Sequence, residues 1–70
     1  MNYALFFCNK GQATKVRECA TLAEANTLEN DFNTGLWLLY TEPDDFVHYE
    51  PRERTTQGWV PIQPQQQLLN

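Results

Sequence analysis

Apolar and polar positions along this chain follow a strand period, then a helix period, and then lose all period in one greasy run. Residues 2–8 and 14–20 read as two strands joined by Asn9-Lys10-Gly11-Gln12, where Gly11 is free to take a positive φ. A three-residue turn there places Ala4, Phe6, Cys8 and Val16 inward and Tyr3, Leu5, Phe7, Lys15 and Arg17 outward; a two-residue turn reverses the second strand. The first arrangement keeps both basic side chains out of the core and is the expected one. Thr21-Leu22-Ala23-Glu24 then forms a capping box, in which the hydroxyl and the carboxylate each satisfy a backbone N–H of the first helical turn. Leu22, Ala25, Leu28 and Phe32 recur at helical spacing, so a helix is predicted to about Phe32, ended by Asn33 and Gly35.

The aperiodic run is Leu36-Trp37-Leu38-Leu39-Tyr40. Read as a third strand over residues 35–41, it is apolar on both faces, and such a strand expects cover on both sides. Glu42-Pro43-Asp44-Asp45 has type I turn chemistry and leads into a fourth strand over residues 46–50. Register through that turn puts Leu36, Leu38, Tyr40, Val47 and Tyr49 beneath the helix. Trp37, Leu39, Thr41, Phe46, His48 and Glu50 fall on the opposite face. Residues 51–58 read as a polar loop, residues 59–62 as a short edge strand that tolerates Pro61, and residues 63–70 as a flexible Gln-rich tail. The expectation is one α+β domain over residues 1–62: an antiparallel sheet of four or five strands in the order ββαββ, with one helix on one face. One short helix leaves the other face for a partner.

Charge narrows the partner. Five basic residues stand against nine acids, a formal net charge of −4, which disfavours direct binding to nucleic acid and favours a basic partner. Glu42, Asp44, Asp45 and Glu50 crowd the 42–50 segment, and Glu29 and Asp31 sit in the predicted last helical turn, where the macrodipole disfavours them. With Trp37, Phe46 and His48, these residues are the expected partner-binding set. No catalytic constellation is present: His48 is the only histidine and no nucleophile is set beside it by spacing. Cys8, Cys19 and His48 lack the paired spacing of a zinc site, and the isolated glycines form no phosphate loop, so no metal, cofactor or enzymatic activity is expected. Neither a signal-peptide pattern nor a long apolar stretch is seen, and two cysteines suit a reducing compartment; a cytoplasmic protein that does not span membranes is expected.

Gly35-Leu36-Trp37-Leu38-Leu39-Tyr40, after a helix and before an acidic segment, resembles a stretch found among small phage-encoded anti-CRISPR proteins. That resemblance covers six residues. It implies a small helix-on-sheet domain that inhibits a CRISPR effector by occupying its surface, in the host cytoplasm, with acids imitating DNA. The leading expectation is therefore a non-enzymatic inhibitor or adaptor acting on a basic nucleic-acid-binding protein. A homodimer that buries its outer sheet faces is the alternative. A single-stranded nucleic-acid module using Tyr3, Phe7, Lys15 and Arg17 is a third reading, opposed by the acidic balance.

Overall fold

The computed structural model describes residues 1–62; the expected tail over residues 63–70 lies outside them. The elements are β1 (Tyr3–Asn9), β2 (Gln12–Cys19), α1 (Leu22–Leu39), β3 (Val47–Thr55) and β4 (Gly58–Pro61). The strands form one antiparallel sheet in the order β2-β1-β3-β4, with α1 packed against one face, an α+β fold.

The first hairpin turns in two residues rather than three. Lys10 and Gly11 both take positive φ (54° and 88°), the handedness that lets a two-residue turn follow strand twist. Asn9 then faces Gln12, Phe6 faces Lys15, and a bulge leaves Val16 between partners before Leu5 meets Arg17. The faces of β1 are the reverse of those expected. Tyr3, Leu5 and Phe7 point to the helix side, and Ala4, Phe6 and Cys8 to the open side with Lys15.

α1 begins as the capping box requires: the Thr21 hydroxyl accepts from the Glu24 N–H, and the Glu24 carboxylate accepts from the Ala20 N–H. It does not stop at Phe32. Neither Asn33 nor Gly35 has a positive φ, and the helix takes in residues 35–39 of the run expected as a third strand, with Tyr40 as its C-cap. Leu and Trp tolerate helix as well as strand, and a continuous apolar run carries no period to decide between them. The Tyr40 and Thr41 N–H groups both donate to the Leu36 carbonyl, and the chain breaks off before Pro43. With no third strand at residues 35–41, the 42–45 segment is a helix-to-strand loop rather than a hairpin turn.

β3 is longer than expected and lies at the centre of the sheet, against β1. It takes in residues 51–55, expected as loop. The carbonyl and N–H of one strand residue point to the same side. Arg54 donates to Asn2 on the β1 side, so the odd residues of β3, Pro51 included, turn away from β1. Pro51 therefore removes no bond from the β1 ladder, and its carbonyl accepts from the Ile62 N–H. Thr55 and Gly58 close the second hairpin: the Thr55 hydroxyl accepts from the Gln57 N–H and donates to the Gly58 carbonyl, with Gly58 at φ 101°. β4 is the edge strand expected near residues 59–62.

The core under α1 is thin. Leu5, Cys19 and Ala25 are fully buried, and beside them Tyr49 stacks between Phe7 and Phe32, with ring centroids 4.9 and 5.1 Å away. On the open face Phe6 and Trp59 meet at 5.6 Å. Arg52 lies 5.0 Å over Phe6, and Arg54 and Lys15 lie 5.0 and 5.6 Å over Trp59. Among the described residues, long cationic side chains rather than a second layer cover that face.

Candidate functional site

Past the sheet, the last turn of α1 and its following loop carry large apolar side chains that none of the described residues covers. Trp37 is 60% exposed, Leu38 79%, Leu39 74%, Tyr40 82% and Phe46 69%. Scattered surface leucines need no explanation, but five such residues within ten positions form a patch of the kind that marks an interaction surface. The stripe facing the sheet is instead Ala25, Leu28, Phe32 and Leu36.

Beside this patch, Glu29, Asn30, Asn33, Thr34, Trp37 and Pro43 line a groove of about 390 Å³. Asn33 is held there by β3: its Nδ2 donates to the Tyr49 carbonyl at 3.0 Å, and its Oδ1 accepts from the Tyr49 N–H at 2.8 Å. Among the described residues no strand pairs with Tyr49 on that side, and the side-chain amide takes its place. Glu29 is half-buried and has no basic partner within 4 Å among the described residues. Burial, with the Glu50 charge behind it, pushes its carboxyl above the usual range, and His48 offsets this only in part. A half-buried carboxylate without a cation at the end of a groove suits a cationic visitor.

The expected partner-binding residues separate into two groups. Glu29, Trp37, Glu42, Asp45 and Phe46 belong to the α1 end and its loop, where Glu42 and Asp45 are exposed. Asp31 is exposed but lies roughly 200° around the helix from Glu29, away from the groove. Asp44 braces its own loop. Its Oδ1 accepts from the Phe46 and Val47 N–H groups at 2.8 and 2.9 Å, fixing the chain into β3.

His48 and Glu50 lie on the open sheet face, not with Trp37 and Phe46. Cys8 is the register partner of His48, and the ligand atoms of Cys8, His48 and Glu50 all lie within 4.8 Å of one another. His48 Nε2 is 3.0 Å from Glu50 Oε1, Arg52 Nε donates to Glu50 Oε2 at 2.6 Å, and Arg52 Nη2 is 3.8 Å from Cys8 Sγ. Burial opposes ionisation of Glu50, but the bonds from His48 and Arg52 outweigh it and hold the carboxyl below its usual range. Burial and Glu50 push the Cys8 thiol up, against Arg52, so it is not an activated nucleophile. Cys19, the other cysteine, is buried, faces the helix side and pairs with Tyr3. The sequence placed His48 and Glu50 on one strand face, whereas Arg52 joins them only because β3 runs past residue 50 and Cys8 only through the β1–β3 pairing. The stacking platform of Tyr3, Phe7, Lys15 and Arg17 does not assemble, because Phe7 faces the helix and Lys15 the open side.

No known protein family, characterised protein or solved structure matches this chain. Among the described residues no helix is long and apolar enough to cross a membrane.

Proposed function

We propose that the chain is a non-enzymatic protein-binding module, an inhibitor or adaptor that docks on a basic nucleic-acid-binding protein. The uncovered end of α1 is the observation that carries this reading. Burying three of its large side chains against a partner would supply roughly 5–9 kcal/mol before association costs. Charge selects the partner: every acid but Glu53 lies between Arg17 and Arg52, and no lysine or arginine does. Glu42 and Asp45 would steer a basic surface to the patch, and Glu29 would receive a lysine or arginine in the groove. Acids used in this way stand in for phosphates, and the resemblance to anti-CRISPR proteins makes CRISPR effectors one class of such partner. A homodimer through the same patch would bring two acidic rims together, which disfavours it.

The test is capture of binding proteins by the wild type, Trp37→Ala and Glu29→Gln side by side. The reading expects a basic protein held by the wild type at low salt, released as salt rises, and weakened tenfold or more by Trp37→Ala. A ligand held equally by all three chains, or a tight homodimer that buries Trp37, overturns it.

A further inference from the structure

The open-face cluster has a hydrogen-bonding pattern that calls for a cation. His48 Nδ1 lies 2.8 Å from the backbone carbonyl of Asp44, which can only accept, so that nitrogen carries a proton. Nε2 points at Glu50 Oε1, 3.0 Å away, and a carboxylate oxygen is also an acceptor. In the neutral imidazole two lone pairs would then face each other, unless a proton or a metal ion sits between them.

The surroundings match a metal site in three further respects. A metal-bound histidine characteristically donates its other nitrogen to a carbonyl or carboxylate, and here the carbonyl belongs to the loop that the Asp44 side chain has fixed. Arg52 holds Glu50 Oε2 and so orients Oε1 toward the imidazole. Cys8 Sγ supplies a soft donor from the neighbouring strand, within 4.8 Å of the other two ligand atoms.

We propose that Cys8 Sγ, His48 Nε2 and Glu50 Oε1 bind a zinc ion, with a fourth position left to water or to a side chain of a bound partner. Zinc at its usual bond lengths holds such donors roughly 3.3–3.7 Å apart, so His48 Nε2 and Glu50 Oε1, now 3.0 Å apart, must part slightly while Cys8 Sγ moves inward from within 4.8 Å. The thiolate and carboxylate neutralise the ion, and the mixed sulfur, nitrogen and oxygen set suits zinc better than magnesium or calcium. This site lies on the sheet face opposite α1 and is independent of the docking proposal.

Cobalt(II) titration of the reduced full chain, with zinc as competitor, tests it. One equivalent of cobalt is expected to produce a thiolate charge-transfer band and tetrahedral visible bands, which zinc abolishes. Cys8→Ser should remove the charge-transfer band, His48→Gln should weaken binding tenfold or more, and Cys19→Ser should change neither. Far-UV circular dichroism checks that each variant is folded. Zinc should also raise the unfolding midpoint of the wild type, which requires no variant. Absence of both the cobalt band and that rise, or a band that survives Cys8→Ser, overturns the proposal.

Discussion

Asn33→Ala tests the bond that ties the helix to the sheet. β4 does not reach Tyr49, whose N–H and carbonyl turn away from β1 and, among the described residues, are met only by the Asn33 side chain. Because one backbone group donates and the other accepts, the two ends of the Asn33 amide are assigned without ambiguity. Each bond contributes a net 0.5–1.5 kcal/mol or so, and truncation leaves two half-buried backbone groups short of a partner. The expected loss is about 2 kcal/mol, or roughly 8–16 °C in the midpoint for a domain of this size. Urea unfolding followed by circular dichroism measures it, with an unchanged m-value showing that the unfolded state is unaffected. Asn33→Asp sharpens the test: it keeps the acceptor for the Tyr49 N–H but sets an oxygen against the Tyr49 carbonyl. It should be at least as damaging as alanine at neutral pH. A loss below about 0.5 kcal/mol for both variants would refute the strand-surrogate role.

Asp44→Ala should cost about 1–2 kcal/mol by freeing the Phe46 and Val47 N–H groups, whereas Asp45→Ala should stay within about 0.5, as paired thermal melts will show. Gly11→Ala forces a side chain into a positive φ and should cost about 1–2 kcal/mol by the same measurement. The carboxyl of Glu29 is raised in the folded state, so its ionisation reduces stability as pH rises through the raised value. Glu29→Gln should therefore stabilise the protein at neutral pH and lose that advantage below about pH 4. Glu50 is lowered instead: its contribution is present above the ordinary glutamate value and is lost as pH falls through the folded one. Glu50→Gln should be less stable than wild type at pH 7, with the gap closing in acid; melts across pH 2–8 or so check both signs.

The legible parts of the sequence were those with local chemistry. The capping box at Thr21 and Glu24, the hairpin at Gly11 and the edge strand at Trp59 each announce themselves within a few residues. The rule that a strand apolar on both faces needs cover on both sides was sound, but it belonged to β1. Leu5 and Phe7 lie under α1, and Phe6 lies under Arg52. Leu36 to Leu39 misled because no period separates a buried strand from an apolar helix end. β3 was hidden because Arg52 and Arg54 look like loop residues until their stems are seen lying across aromatic rings. Of the site, the acidic segment and Trp37 were visible as residue types. The pairing that brings Cys8 to His48 depends on β1 and β3 being neighbours across nearly forty intervening residues, which no local pattern encodes.

The fluorescence of Trp37, isolated by Trp59→Phe, tests the central claim most directly. The free chain should emit as an indole in water, be quenched freely by acrylamide at every protein concentration, and shift to the blue only when a basic partner is bound. A blue-shifted, shielded indole in the free chain at high dilution would mean that the protein covers this surface itself, contradicting the account.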